Sequence, residues 1–575
     1  MGKLYLCAAT LASMAIAQAC PERVSVASAG LEANSHSYAP SVSTDGAYIA
    51  FVSDASNLVP GDNNLVADVF VRDRRLDVTT RVSVASNGAQ MDPWLSGGFT
   101  PLGCSTPSIS GDGRFVAFAS YGSNLVPGDT NARQDIFVHD RSTGSTVRVS
   151  VSTNGIEADA DSYFPTISRD GLIVAWQSSA TNLVLGDTNG NSDIFVHDRT
   201  TATTTRVSLT AASAQVFGSS TSPSLSTTGQ FVAFASTASN LVTGDTNAAA
   251  DVFIADRVTG SVTRISVNSS GAQAIGSSLG SGEPSISGDG TKIAFRSYMT
   301  NLIAGDTNGC ADIFLRDLAA GTTTRTSLTA TSGQGVGNSA SGATGSFGPR
   351  ISQDGRYVAF VSHSTNLVPN DSNATADTFL RDTLVATTTR MGVTPKSASL
   401  DTGAAYWGST PWLAISGDGA TVAFITTSSS AVDVDTNGAT DVFVNSLRPR
   451  LATAATIAKG QTLTLTMDAP SNAVGSAYVL AAALATTPGI HVGAGRVFPL
   501  ANDAVLIATL SPSTPGLMAF HGSFGVTASA TATFAVPNTT SLVGLTLSSA
   551  FVILDGGHAY GLRACSNVVT FVITN

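Results

Sequence analysis

Short apolar runs alternate with polar turn segments through residues 40–447, in an order that recurs seven times. In each copy, a run after a proline, such as Pro-Ser-Ile-Ser at 107–110, ends at an Asp-Gly pair such as Asp112-Gly113. Because Asp-Gly tolerates the positive φ angles of a tight hairpin turn, we expect two strands to fold back on each other there. An apolar run such as Val-Ala-Phe-Ala-Ser at 116–120 is the second strand. A long polar loop, a strand such as Asp-Ile-Phe-Val-His at 193–197 and a fourth strand such as Thr-Arg-Val-Ser-Leu at 205–209 complete the copy. Each copy therefore predicts four short antiparallel strands rich in β-branched and aromatic residues.

The spacing of the copies predicts the architecture. Their turn glycines recur every 58 to 67 residues, at Gly46, Gly113, Gly171, Gly229, Gly290, Gly355 and Gly419. Four strands per unit at a regular period are typical of a β-propeller, so seven copies predict seven blades. The seventh copy stops near residue 447 without a fourth strand, whereas Arg-Val-Ser-Val-Ala-Ser at 23–28 matches the missing one. The N-terminal strand is therefore expected to close blade seven and leave no open edge.

These repeats resemble the TolB-type propeller family of bacterial envelope proteins. The resemblance rests on the proline–serine–Asp-Gly hairpin, the aliphatic-Ala-Phe strand and the Asp-Ile-Phe-Val strand, and it extends over the seven copies. It implies the all-β propeller fold. The present repeat differs in a longer Asn-Leu-Val…Gly-Asp-Thr-Asn loop between the second and third strands, which would lie on the presumptive binding face.

The chain divides into three segments on this reading: a signal peptide at 1–19, the propeller at 20–447 and a C-terminal domain at 448–575. The last segment contains strand-like runs at 462–467, 477–482, 505–510, 528–536, 550–554 and 568–573, separated by turn signals. This predicts a β-sandwich, similar to the β-domains appended to many secreted bacterial proteins. An attachment or sorting module and a structural cap are both compatible with it.

Composition agrees with an extracellular β-protein, because only 12% of residues are charged and 43% are apolar. Among the acidic residues only Glu22, Glu32, Glu157 and Glu283 are glutamates, and aspartate favours turns over helix interiors. The net charge of −11 is unsuited to nucleic acid.

The N-terminus predicts export. Residues 1–19 contain Lys3, a short apolar run and a small-residue cleavage pattern before Cys20, with lipid attachment at Cys20 as an alternative. We expect a secreted, periplasmic or cell-surface protein with no integral membrane segment after signal removal. In such a compartment Cys20, Cys104, Cys310 and Cys565 could form one or two disulfides, whose pairing the sequence leaves open.

The most specific local pattern is Asp-x-Asn-x-x-x-Asp, present in all seven long loops. Alternating carboxylate and amide oxygens suit calcium, which binds six to eight oxygen ligands in flexible geometry. The equally compatible alternative is that these side chains only cap turns by hydrogen bonding to the backbone. The candidate metal ligands are Asp62, Asn64, Asp68, Asp129, Asn131, Asp135, Asp187, Asn189, Asp193, Asp245, Asn247, Asp251, Asp306, Asn308, Asp312, Asp371, Asn373, Asp377, Asp435, Asn437 and Asp441.

A second recurring pair joins the aspartate that ends the third strand to the arginine of the fourth. We interpret these pairs as cross-strand ion pairs, with an anion-binding ring as the alternative. The pairs are Asp140/Arg148, Asp198/Arg206 and Asp256/Arg264.

Catalytic signals are weak. The sequence Gly-Ser-Ser-Leu-Gly at 276–280 matches the Gly-x-Ser-x-Gly motif of serine hydrolases, but it lacks the strand–turn–helix context that exposes the serine nucleophile. His139, His197 and His363 are interpreted as packed or solvent-facing, and Trp176 as a core residue in the place of a phenylalanine, whereas Trp407 and Trp412 could stack on sugars.

The sequence thus favours a non-enzymatic binding propeller that engages a protein or glycan through its long-looped, acidic face. An Asp-based glycan hydrolase or lyase with its site in the central funnel is the alternative, and it would need paired carboxylates at the axis. A passive surface scaffold is the third hypothesis.

Overall fold

The computed structural model describes residues 21–93, 103–329, 331–336, 345–369, 371, 375–391, 413–428, 431 and 435–446, together with the backbone of nine C-terminal strands. All regular structure in these residues is β. Over the same residues, no helix is long and apolar enough to cross a membrane.

Seven four-stranded antiparallel sheets form a propeller, with strands in chain order within the first six blades. The turns between first and second strands and between third and fourth strands share one face, here called the Asp-Gly face. The loops between second and third strands and the inter-blade connections share the other, here called the long-loop face. The strands of blade one are Ser37–Val42, Tyr48–Ser53, Asp68–Asp73 and Val78–Arg81, and those of blade two are Cys104–Ile109, Phe115–Ser120, Asp135–Asp140 and Ser145–Arg148. Blade three contains Ser162–Ile167, Ile173–Ser178, Asp193–Asp198 and Thr203–Arg206, and blade four contains Ser220–Leu225, Phe231–Ser236, Asp251–Asp256 and Val262–Arg264. Blade five contains Ser281–Ile286, Lys292–Ser297, Asp312–Asp317 and Thr322–Arg325, and blade six contains Ser346–Ile351, Tyr357–Ser362, Asp377–Asp382 and Thr387–Arg390.

Blade seven is closed by the N-terminal strand, as predicted, although the paired strand is Glu22–Arg23 and not the whole of 23–28. Its strands Leu413–Ile415, Thr421–Thr426 and Asp441–Ser446 are completed by Glu22–Arg23, which pairs antiparallel with Asp441–Ser446. Arg23 lies opposite Phe443, and the next residue, Val24, donates its backbone N–H to the Val442 carbonyl at 2.9 Å. The third strand of blade seven is therefore paired on both sides, as it is in the other blades.

Each blade has one buried aromatic pair between its second and third strands. The ring centroids lie 5.8 to 6.1 Å apart and the planes are inclined by 26 to 29°, an offset stacking geometry. Trp176 takes the phenylalanine place in blade three and is fully buried, which confirms it as a core residue. The pairs are Phe51/Phe70, Phe118/Phe137, Trp176/Phe195, Phe234/Phe253, Phe295/Phe314, Phe360/Phe379 and Phe424/Phe443.

The Asp-Gly turns serve the packing between blades as well as the hairpin. Gly113 has a φ of +75°, which an L side chain rarely adopts, and a Cβ atom there would lie 2.2 Å from the Tyr48 ring of blade one. In the same turn, Ser110 donates its hydroxyl to Asp112 at 2.6 Å and Asp112 accepts the Arg114 backbone N–H at 2.9 Å. Only glycine meets both the dihedral and the steric requirement of this position.

A closed ring of backbone hydrogen bonds surrounds the propeller axis near the Asp-Gly face. In six of the seven bonds one residue bonds to the corresponding residue of the next blade, and the seventh bond starts at Asp418, one residue after Gly417; the N···O distances are 2.9 to 3.3 Å. The bonds run Thr44 N to Gly111 O, Gly111 N to Arg169 O, Arg169 N to Thr227 O, Thr227 N to Gly288 O, Gly288 N to Gln353 O, Gln353 N to Gly417 O, and Asp418 N to Thr44 O.

The chain from Ser446 forms a second compact unit. Its strands lie in two sheets, one of three and one of six strands. A β-sandwich, which the sequence predicts for this segment, is built from two sheets. The predicted strand at 505–510 lies outside the described residues. The strands are Arg450–Ala452, Thr456–Ala458, Thr462–Asp468, Ala477–Ala485, Leu517–Ser523, Ser529–Ala535, Thr546–Leu554, Leu562–Cys565 and Val569–Thr574.

Replacing Gly113 with alanine should destabilise the propeller by about 2–4 kcal/mol, because the unfavourable φ is combined with a steric clash against Tyr48. The matched control is Gly128→Ala in the same blade, where φ is +76° and no atom lies within 4 Å. It should lower the free energy of unfolding by only about 1 kcal/mol. Equal losses for the two variants in urea unfolding would contradict the inter-blade role of Gly113.

Candidate functional site

The aspartates and asparagines of the long loops surround a buried arginine from the fourth strand. In blade three, Arg206 Nη1 lies 2.8 Å from Asp187 Oδ1 and 3.0 Å from Asp193 Oδ2. The Ser208 hydroxyl donates to Asp193 Oδ1 at 2.6 Å. One guanidinium therefore bridges the first and last aspartates of the motif.

The asparagine of the motif caps the turn and binds the loop to the inter-blade connection. Asn189 Oδ1 accepts the backbone N–H of Asn191 at 2.9 Å, and its amide group donates to Asp193 and to the Val216 carbonyl, both at 3.2 Å. This is the backbone-capping role that the alternative interpretation assigned to these residues.

The same arrangement recurs around the ring wherever the residues are described. In blade seven the guanidinium is supplied by the closing strand, since Arg23 lies 3.4 Å from Asp435 and 3.5 Å from Asp441. In blade six Arg390 contacts Asp371 and Asp377, while Asn373 lies outside the described residues. The bridging arginines are Arg23, Arg81, Arg148, Arg206, Arg264, Arg325 and Arg390.

The predicted cross-strand pairs Asp140/Arg148, Asp198/Arg206 and Asp256/Arg264 are wrong. The third strand carries an aspartate at both ends, and the fourth-strand arginine lies opposite its central phenylalanine, as Arg148 opposite Phe137. The guanidinium reaches the long-loop end, so Arg148 contacts Asp129 at 3.0 Å and Asp135 at 3.2 Å. Arg206 and Arg264 make the corresponding contacts with Asp187/Asp193 and Asp245/Asp251.

Calcium would meet a ligand set that is already engaged. In blade three the oxygens of Asp193 and Asn189 accept hydrogen bonds from arginine, asparagine, serine and backbone donors, and the Arg206 guanidinium lies between the two carboxylates. The residues therefore fit the capping and ion-pair interpretation better than a calcium loop.

Each cluster nevertheless has more carboxylate than guanidinium charge. Burial, together with the partner aspartate, raises the pKa of Asp62 and of Asp129 to about 6.

Separately from these clusters, the first strands of the blades enclose a funnel on the propeller axis. Its volume is about 1140 Å³, and Ala250 and Leu279 of the long-loop face line its mouth. At the Asp-Gly end, Gln353 donates to Thr44 Oγ1 at 3.3 Å and Arg169 donates to Gln353 Oε1 at 3.5 Å. These residues belong to blades six, one and three, so their contacts cross the axis. The funnel is thus wide at the long-loop face and bridged at the other end.

The residue before the first-strand proline has a positive φ in six blades. The register of the strand shifts at this point, and φ lies between +43° and +62°. A non-glycine residue is strained there, and such strain is concentrated at functional sites. The residues are Ala39, Thr106, Phe164, Ser222, Glu283 and Gly348, of which all but Ala39 line the funnel.

Blades five and six depart from the repeat by placing charges on the funnel wall. Glu283 replaces the small, hydroxyl or phenyl side chains of blades one to four. Arg296 stands where the other second strands have Val52, Ala119, Gln177, Ala235, Val361 and Ile425, and Arg350 where the other first strands have Ser41, Ser108, Thr166, Ser224, Ser285 and Ala414. Glu283, Arg296 and Arg350 are the three charged residues among the described residues that line the funnel, with histidine counted as neutral.

Glu283 is the centre of the contacts on this wall. Arg296 Nη1 lies 2.8 Å from Glu283 Oε1, and its guanidinium lies 5.5 Å from the Tyr298 ring centroid. The other carboxylate oxygen of Glu283 accepts the Gly348 backbone N–H at 2.7 Å. His363 packs against Phe347 at 5.8 Å on the same wall, and burial lowers the pKa of its imidazole.

The rim of the long-loop face departs from the repeat on the same side. In each of the six connections that lead into blades one to six, one residue donates its backbone N–H to an asparagine that follows the second strand of the next blade, as Phe217 does to Asn240 at 2.9 Å. These donors are called the rim residues. The rim residues leading into blades one to three are the polar Asn34, Asp92 and Asp159. Those leading into blades four to six are Phe217, Ile275 and Val336, which are 78%, 54% and 50% exposed. This set of three is called the apolar rim below.

Other candidate residues have structural roles. His139 and His197 are buried and bond to Thr146 and Thr204 at 2.9 Å, and burial lowers the pKa of both, so they are packed histidines. The Gly-Ser-Ser-Leu-Gly spelling lies in an inter-blade connection. Cys104 and Cys310 are free thiols, and the side chains of Cys20 and Cys565 lie outside the described residues. Trp407 and Trp412 also lie outside them.

Sequence reasoning missed Glu283, Arg296 and Arg350. The signal was present as a departure from the repeat, because charged residues occupy positions that are small or aliphatic in most other copies. That these positions share a funnel wall became visible only in the folded ring.

No protein-family model matches this protein, and no curated protein is similar to it. Among solved structures, it is similar to the crystal structure of trypsin activated alpha-2-macroglobulin from Escherichia coli at 8% sequence identity and a TM-score of 0.15. The alignment covers 92% of the present sequence and 36% of that one. A likeness this low carries no argument about fold or function.

Replacing Arg206 with methionine should destabilise the propeller by about 3–5 kcal/mol, because it leaves two buried carboxylates without their counter-charge. The control is Arg75→Met, which removes an exposed pair with Asp45 and should change the free energy of unfolding by less than about 1 kcal/mol. Equal losses in guanidinium unfolding would contradict the structural role of the cluster.

A thermal melt after chelation, followed by graded addition of calcium, separates the two interpretations of the loops. The observed ion pairs predict no shift in Tm at millimolar calcium. Calcium binding instead requires a saturable upward shift, because a ligand of the folded state alone stabilises it by mass action. That shift should be reduced in the Asp187→Ala/Asp193→Ala variant.

Proposed function

We propose that this protein is an exported, non-enzymatic binding module that holds an extended polypeptide segment of a partner on its long-loop face. The segment enters the funnel beside blades five and six. The observation that carries the proposal is that two separate departures from the sevenfold repeat occur on one side of the ring: the charged cluster of the funnel wall and the apolar rim.

Both departures are additions to the contacts that the blades share. The aromatic pairs, the arginine-bridged carboxylates and the inner backbone ring are the same in these blades as in the others. An exposed apolar group beside a concave site is a common feature of a binding surface. The acidic rim residues of blades two and three then form the other half of the mouth.

A polypeptide suits this surface better than a glycan. The apolar rim has two aliphatic side chains and one phenyl ring, whereas sugars stack on flat aromatic faces. Serine hydroxyls of the first strands also line the funnel, but they already take part in contacts between blades. Ser41 accepts the backbone N–H of Ile109 at 3.1 Å, and Ser285 accepts that of Ile351 at 3.1 Å.

The hydrolase alternative is less well supported. Two carboxyl groups at reaction spacing are needed for glycoside hydrolysis. Among the described lining residues Glu283 is the carboxylate, and it is held by Arg296 and by the Gly348 N–H. The proposal further includes export through residues 1–19, a role for the C-terminal unit in attachment and a TolB-type relationship of the repeats.

Selection of a phage-displayed random peptide library on the full mature protein tests the proposal. The enriched peptides should bind Phe217→Ser/Ile275→Ser/Val336→Ser at least about tenfold more weakly than the wild type, because a few apolar anchors carry most of the affinity of such surfaces.

The matched control is Leu76→Ser/Val258→Ser/Leu384→Ser, which removes three exposed apolar side chains from turns on the Asp-Gly face and should bind as the wild type does. Peptides that bind all three proteins equally would contradict the site. A protein that enriches no peptide but retains members of an oligosaccharide panel would contradict the ligand class.

A further inference from the structure

The funnel wall is cationic in a protein that is strongly acidic. Within the described part of the chain its charged lining residues are Arg296, Arg350 and Glu283, which sum to one positive charge, whereas the whole protein has a net charge of −11. A positive cavity in an acidic protein attracts anions selectively, because the surrounding negative surface repels them elsewhere.

Arg350 carries the charge that is not neutralised. The carboxylate of Glu283 is engaged by Arg296 at 2.8 Å and by the Gly348 N–H at 2.7 Å. Arg350 donates from Nη1 to the Pro349 carbonyl at 2.8 Å, and it forms none of the ion pairs found among the described residues. Burial lowers the pKa of the Arg350 guanidinium and Glu283 partly opposes this, so a nearby anion would relieve an electrostatic penalty.

The position of Arg350 gives it no evident role in the scaffold. The equivalent residue is a serine, threonine or alanine in every other blade, and its neighbour Ile351 bonds to Ser285 as Ile109, Ile167 and Ile286 bond to the serines of their preceding blades. A planar guanidinium in a cavity is suited to bidentate binding of a carboxylate. A doubly charged phosphate is disfavoured because it would also face Glu283.

The apolar surroundings define the rest of the ligand. Leu279 lines the funnel mouth and is 66% exposed, and Phe347 and Tyr298 line the same wall. We propose that the funnel binds a peptide carboxylate on Arg350, with an adjacent apolar side chain of the peptide against Leu279, and that Arg296–Glu283 positions this wall. The inference rests on the proposed function and specifies its ligand. The carboxylate comes either from the C-terminus of the peptide or from an aspartate or glutamate side chain.

Fluorescence anisotropy with labelled random-sequence peptide pools tests this inference on the full mature protein. Four pools are compared: with or without a free C-terminal carboxylate, and with or without aspartate and glutamate. Removing the carboxylate source that the site uses should weaken binding about tenfold or more in the wild type. The source is the C-terminus if both pools with a free C-terminal carboxylate retain binding, and it is a side chain if both pools with aspartate and glutamate retain binding.

The variants are Arg350→Met, Arg350→Lys and the matched control Arg169→Met, which removes a guanidinium from the opposite end of the same axis. Arg350→Met should abolish the carboxylate preference, whereas Arg169→Met should keep it. Arg350→Lys keeps the charge and should retain part of the preference if the site folds normally, which a thermal melt checks.

The outcomes separate the inference from the proposed function. Peptides that bind the wild type and Arg350→Met equally, with no dependence on a carboxylate, would overturn the anion site and leave funnel binding intact. Absence of binding by all four pools would overturn both. Binding of acidic oligosaccharides in place of every peptide pool would overturn the peptide assignment.

Discussion

The inner ring of seven backbone hydrogen bonds is the constraint on which the funnel depends. It fixes the first strand of each blade against its neighbours, from Thr44 N–Gly111 O to Asp418 N–Thr44 O. Because backbone atoms form the ring, the side chains above it are free to differ between blades. The protein uses this freedom at Glu283, Arg296 and Arg350, while the backbone ring continues through blades five and six.

The arginine-bridged carboxylates support the ring from outside. They join the long loop, the third strand and the fourth strand of each blade through one guanidinium, and Arg23 extends the same contact across the closure. An acidic motif in the sequence is thus an ion-pair and capping motif in the fold. The asparagine that contacts the next connection makes the long loops part of the interface between blades.

Local chemistry explains which features the sequence could predict. Asp-Gly turns, apolar runs and the displaced strand at 23–28 determine blade number and closure, because hairpin dihedrals and strand burial are local properties. The partner of Arg148 was not predictable in this way, since it depends on strand register and on which end of the third strand the guanidinium reaches. Glu283 and Arg296 lie on paired strands of one hairpin, whereas Arg350 belongs to the next blade and only the ring brings it to the same wall.

Hydrogen–deuterium exchange on the full mature protein, with and without saturating carboxylate-terminated peptide pool, is the most direct measurement of the central claim. The account predicts slower exchange in segments 275–298 and 345–363, with no change in the equivalent segments 103–120 and 159–178 of blades two and three. Protection spread evenly over the seven blades, or confined to the Asp-Gly turns, would contradict a one-sided binding site in the funnel.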